Sequence, residues 1–170
     1  LGEKESIQKY QMNGHPVLAL NWNPYVIIDG EKKYYQRDFC WTLEQKQNLI
    51  HSLYLGIDIG KIVVRKREWS EVQKLADTGE TELSFNDIID GKQRLEALRG
   101  FLMGEYTDRD GNYFADLSFY SQHKLTNNQQ LGFAEMDEPE DKQVLKQFLK
   151  MNFEGVPQSK EHLEYVKSLI

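Results

Sequence analysis

Apolar residues in this chain recur at two different periods, and the switches between them mark out its elements. The run Tyr25–Ile28 is short, apolar and closed by Asp29-Gly30, a turn signal between paired strands. Residues 32–41 read as extended or irregular. Thr42 then opens a helix: Thr42 and Gln45 form an S/T-x-x-E/Q capping box, and Leu49, Ile50, Leu53 and Tyr54 follow at helical spacing up to Gly56. Residues 61–67 read as a strand centred on Ile62, Val63 and Val64, residues 69–75 as a short helix, and residues 77–82 as a polar loop. Residues 85–89 read as a buried strand running straight into Asp90-Gly91, after which Leu95, Leu98 and Leu102 take up helical spacing. That junction is strand, tight turn, helix. Residues 108–112 (DRDGN) read as a hairpin loop in which Gly111 supplies a positive φ; a calcium loop is not expected, because the glycine sits fourth instead of sixth and no glutamate closes it. Pro139 suits the first turn of a helix facing Val144, Leu145, Phe148 and Leu149 to a core. After Gly155 and Pro157, Ser159 caps a last helix with Leu163, Val166 and Ile170 inside.

Composition narrows the class. With 170 residues, 39% of them hydrophobic and 3 Trp, 9 Tyr and 8 Phe among them, the chain can build a sizeable core. The absence of repeats and linkers points to one domain over residues 1–170, with 139–170 a helical extension of it. No apolar run approaches a membrane helix or a secretion signal, so a cytosolic (cytoplasmic) protein without membrane contact is expected. The single Cys40 excludes an intrachain disulfide framework and reads as a small hydrophobe. A net charge of −6 argues against an indiscriminate DNA coat. The charge is uneven: residues 1–104 hold 14 basic and 15 acidic residues, and residues 105–170 hold 7 and 12. The front half is therefore the place for a phosphate-bearing ligand. Its densest basic stretch is Lys61, Arg65, Lys66 and Arg67, either a solvated strand edge or a contact for the DNA backbone.

The chain carries no GxxxxGK[ST], GxSxG, HExxH or GxGxxG motif, and its four histidines lack metal spacing. His123 with Asn127 lies in a polar stretch and does not make a nuclease motif. What survives is IIDGKQRLEAL from Ile88 to Leu98. A helix start offers unpaired backbone N–H groups and the positive end of the helix dipole, and so binds anions. Gly91 lets a phosphate approach the backbone, while Lys92 and Arg94 place positive charge where stability alone favours Asp or Glu. Asp90 has two candidate roles, capping the helix or holding a magnesium ion on the phosphates. A second segment, Tyr34-Tyr35-Gln36-Arg37-Asp38-Phe39-Cys40-Trp41, is either the lid of a core or a partner of the anion site through Gln36 and Arg37.

Together YQRDFCW, LIHSLYLGIDIG, KIVVRKR and IIDGKQRLEAL resemble the N-terminal nucleotide-binding domain of GmrSD-type modification-dependent restriction enzymes, with their YQRxYxW and DGQQR motifs. The segment 148–157 (FLKMNFEGVP) is similar to that family's F-x-R-I-N-x-G-G, and residues 91–97 fit the GxxRxxA box of the wider ParB and sulfiredoxin-like superfamily. The resemblance implies an α+β fold, a small mixed ParB/sulfiredoxin-like sheet with flanking helices and a helical C-terminal portion. It also implies a nucleoside-triphosphate site formed by Asp90, Gly91, Gln93 and Arg94, faced by Gln36 and Arg37 and completed by Asn152, with Asp90 and Arg94 as its catalytic pair. Two departures stand out. Lys92 replaces the family's first glutamine, and the second glycine of the late segment has no clear counterpart. The family's sulfiredoxin-type cysteine and its His/Asn nuclease half are absent from these residues, so neither chemistry is expected of them.

Three functions follow as expectations. The first is a module that binds a nucleoside triphosphate with magnesium, with or without NTPase activity, and switches a partner in DNA restriction or phage defence. That partner is DNA or a nuclease-bearing protein, and a homodimer is one assembly to test. The second is a DNA-binding or nicking domain using Lys61, Arg65, Lys66 and Arg67. The third is a catalytically silent phage or host adaptor.

Overall fold

The Asp29-Gly30 pair makes the turn its sequence predicts: with φ of 52° and 80° the two residues close a hairpin between β3 (Tyr25–Ile28) and β4 (Glu31–Tyr34), in which Ile28 pairs with Glu31. The computed structural model describes residues 9–128, 131–137, 140–153 and 159–170. The expectations for Pro139, Gly155 and Pro157 lie outside them. The fold is α+β, with six α-helices and small sheets among the described residues.

The chain groups into two compact units interleaved in sequence: one takes the described residues up to Arg37, then Val63–Asp90 and Ala134–Ile170, and the other takes Asp38–Ile62 and Gly91–Phe133. In the first, β1 (Lys9–Met12) and β2 (His15–Leu18) form an antiparallel hairpin, and β2 runs parallel to β6 (Leu83–Ser84). A second three-stranded sheet has the order β7 (Asn86–Asp90), β5 (Ile62–Lys66), β8 (Phe133–Met136), with β5 and β7 antiparallel and Val63 opposite Asp90. Helix α2 (Trp69–Asp77) buries Val72 and Ala76 beside Met12, Val17 and Leu83. Helix α5 (Asp141–Phe153) buries Val144, Leu145 and Phe148, the predicted face, against Val26, Tyr35 and Ile89. Tyr35 and Phe148 meet edge to face with centroids 5.2 Å apart. In α6 (Lys160–Ser168), Ser159 caps by accepting from the His162 amide, and Val166 is buried. Ile170 is not inside: Leu169 takes that place and Ile170 is exposed.

The second unit is helical. α1 (Leu43–Tyr54) starts with the predicted box: Thr42 Oγ1 accepts from the Gln45 amide and Gln45 Oε1 from the Thr42 amide. It packs on α3 (Lys92–Leu102), gathering Ile50, Leu53, Phe101, Tyr106 and Leu125 into one cluster. The 108–112 loop is not flanked by strands. Gly111 has the expected φ of 84°, and buried Asp108 ties the loop shut by accepting from the amides of Asp110 and Asn112 and from the Tyr54 hydroxyl. His123 ends α4 (Phe119–His123), and Asn127 sits in a π-helical turn after it.

Candidate functional site

Helix α3 begins where the chain leaves β7. Gly91 is its N-cap, left-handed at φ 95° and ψ 5°, with no side-chain cap hydrogen bond and no acidic residue in the first turn. The N-cap position is thus Gly91, and Asp90 precedes it as the last residue of β7, paired with Val63. A Cβ on Gly91 would press on the Ile62 side chain, and the positive φ there is one that glycine adopts without strain.

Arg94 is held in the same way. Its Nη1 donates to the Ile59 carbonyl at 2.5 Å, and an added Cβ on Gly60, itself at φ 84°, would meet Nη1 at 2.6 Å. Two glycines thus leave room for one guanidinium across the helix start. Gln93 is buried, and both ends of its amide are engaged: Oε1 accepts from the Cys40 amide at 2.9 Å and Nε2 donates to the Asp38 carbonyl at 3.0 Å. Its observed work is to fasten the 38–40 loop to α3. Lys92 is buried beside it. Cys40 is exposed and not a core hydrophobe, because its backbone, not its thiol, is the anchoring group.

In the first unit, Gln36 Nε2 donates to the carbonyls of Ile88 and Ile89 at 2.8 and 2.9 Å, fixing the Tyr34–Arg37 stretch to the strand that carries Asp90. Gln36, Arg37, Asp90 and Asn152 belong to this unit, and Gly91, Lys92, Gln93 and Arg94 to the other. Asn152 Nδ2 donates to the Phe148 carbonyl one turn back on its own helix.

The basic stretch 61–67 is not a cationic surface. Lys61 and Lys66 are exposed, but Arg65 is 1% and Arg67 7% exposed. Arg65 Nη1 bonds Asp141 at 2.8 Å, and its Nη2 lies 3.3 Å from Glu71. Arg67 pairs with Glu71 and, at 2.7 Å, with the fully buried Asp87, which also accepts from Asn21 and Ser84. Burial opposes the charge on Arg67, yet Asp87 and Glu71 hold its pKa above the ordinary value. Strand alternation explains the error: Arg65 and Arg67 share the face that meets the carboxylates, and Lys66 points the other way.

Sequence reasoning missed Ile59 and Gly60, whose only signal was the glycine closing GIDIG, and Glu96, four residues beyond Lys92 on α3. No group of three or more His, Cys, Asp or Glu side chains is placed to hold a metal among the described residues. No described helix is long and apolar enough to cross a membrane.

An α+β chain with a glycine-capped helix start carrying Lys92 and Arg94 after a strand is the arrangement that DGKQR encodes. Residues 23–169 match the family described as GmrSD restriction endonuclease, N-terminal domain, and the chain belongs to that family. No curated protein and no solved structure matches it, so the ParB/sulfiredoxin-like relationship rests on the sequence resemblance alone.

Proposed function

We propose that the chain is a nucleotide-binding module of a DNA-restriction or phage-defence system, holding the phosphates of a nucleoside triphosphate at the start of α3. The observation that carries this reading is the Gly91 N-cap: left-handed, without a side-chain cap, and followed by Lys92 and Arg94 where an acid would be expected. Backbone amides and the dipole favour an anion there, and Arg94, laid across Gly60 and Gly91, adds a planar donor suited to phosphoryl oxygens. Gln93 acts indirectly, by fixing the 38–40 loop.

Magnesium fits this donor set. A magnesium ion on phosphates needs only one or two protein carboxylates, and Asp90, half-buried directly before Gly91, supplies one. When bound, the ion would neutralise charge on the phosphoryl oxygens. Arg94 and the first-turn amides stabilise the same charge from the protein side, the main source of rate in phosphoryl transfer. Among the described residues we assign no general base, so binding is the claim and turnover follows only if water is activated otherwise. DNA or a nuclease-bearing protein is the partner such a switch would serve.

Titrating the chain with the four ribonucleoside triphosphates in magnesium checks the reading. At least one binds, and Arg94→Ala weakens it by about tenfold or more, as expected for loss of a charge-assisted pair. Binding that survives Arg94→Ala undiminished refutes it.

A further inference from the structure

Along α3, within the second unit, runs a cleft of about 250 Å³. Phe39 and Tyr106 supply aromatic surface, and the Lys46 ammonium lies 5.7 Å from the first ring centroid and 4.4 Å from the second. Arg99 and Glu96 border the same space. Glu96 stands out from Glu105, the other acid there, because its Oε2 is buried and has no hydrogen-bond partner. Burial raises its pKa against the lowering effect of Lys92 and Arg99. A buried acceptor without a donor is costly unless a ligand provides one.

Position along the helix adds a second constraint. At 1.5 Å per residue, Glu96 lies about 7.5 Å and Arg99 about 12 Å beyond Gly91 along the axis, the range over which a ribose separates base from phosphate. Gln93, bonded to the backbone on both sides of Phe39, holds that ring's segment at the helix. The volume, just below the roughly 300 Å³ of the smallest drug-sized pockets, suits one bicyclic base and not a whole nucleotide.

We propose that this cleft is the base subsite of the nucleotide and that it selects guanine. The N1–H and 2-amino groups of guanine are adjacent donors, matching the two oxygens of the Glu96 carboxylate, whose last torsion turns readily to present both. O6 accepts from Lys46 or Arg99, and the ring lies on Phe39 or Tyr106. Adenine and cytosine place a ring acceptor where Glu96 needs a donor. Uracil offers one N–H flanked by two carbonyl oxygens, which a carboxylate repels. Gln93 is a positioning residue here, acting through Phe39.

The proposal rests on the phosphate site at α3, and one calorimetric experiment separates the two. The full chain is titrated with magnesium complexes of GTP, ATP, UTP, CTP and inosine triphosphate, the last being GTP without its 2-amino group. GTP binds about tenfold or more tightly than the other three natural nucleotides, as a site built to hydrogen-bond its ligand discriminates. Inosine triphosphate falls between GTP and ATP, an arm that needs no variant. Glu96→Gln, an isosteric change that keeps the fold, brings GTP to within about threefold of ATP, because one neutral acceptor replaces a charged pair. Equal binding of all four natural nucleotides, or a GTP preference unchanged in Glu96→Gln, overturns guanine selection and leaves the phosphate site standing. Absence of binding by any nucleotide overturns both.

Discussion

The two units use the same kinds of side chain in opposite ways. In the first, Arg65, Arg67, Glu71, Asp87 and Asp141 form a buried network in which each guanidinium meets two carboxylates, and Asp87 is saturated by Arg67, Asn21 and Ser84. In the second, Glu96 borders a cleft beside Lys46 and Arg99, and its Oε2 meets no donor. Charges satisfied within the chain hold elements together: Asp141 joins the first turn of α5 to Arg65 on β5 and to the Ile27 amide on β3. A buried acceptor that meets no donor beside open volume, as Glu96 Oε2 does, is the one with something to offer a ligand. Density of Lys and Arg along the sequence does not distinguish the two cases, whereas pairing does.

The largest effect that can break this comparison is on stability. Asp87→Ala leaves Arg67 with Glu71 alone and removes its fully buried partner, and a buried pair broken from one side costs about 3–5 kcal/mol. Urea unfolding followed by circular dichroism reads it as a fall in midpoint. A loss below about 1 kcal/mol would mean the network is no more than a surface ion pair.

A smaller effect comes from Glu96. Its folded pKa is raised by burial, so the carboxyl takes up a proton more readily in the native chain than in the unfolded one. The sign follows by linkage: the stabilising contribution is fully present below the ordinary carboxylate pKa and is lost as pH rises through the folded value. Glu96→Gln should therefore melt higher than the unsubstituted chain at pH 7.5, with the gap closing towards pH 4.5. Solvent screening in the open cleft keeps this below about 1 kcal/mol. A gap that widens on acidification would mean that Glu96 is paired in solution.

Features written in consecutive residues were legible. Thr42 and Gln45 announced their capping box, Asp29-Gly30 its hairpin, and Asp90-Gly91 a strand running into a helix, because each depends on backbone geometry within a few positions. The β2–β6 pairing was not, since Val17 and Leu83 meet through a parallel register with no local turn to signal it. The fate of Arg65 depends on Asp141, 76 residues away, and both readings of the residues alone, a solvated strand edge and a DNA contact, put it at the surface. The candidate site divides along the same line. DGKQR was visible as a motif, but the second cradle at Gly60 and the engagement of Gln93 by residues 38–40 arise from chain segments more than 30 residues apart.

The phosphate site at the start of α3 is tested most directly by amide NMR of the ¹⁵N-labelled chain during titration with magnesium GTP. The account predicts that the backbone amides of Lys92, Gln93 and Arg94 shift with one common saturation curve, since in the proposed site they are the donors to the phosphates. Saturable binding that leaves those three amides unmoved would contradict it.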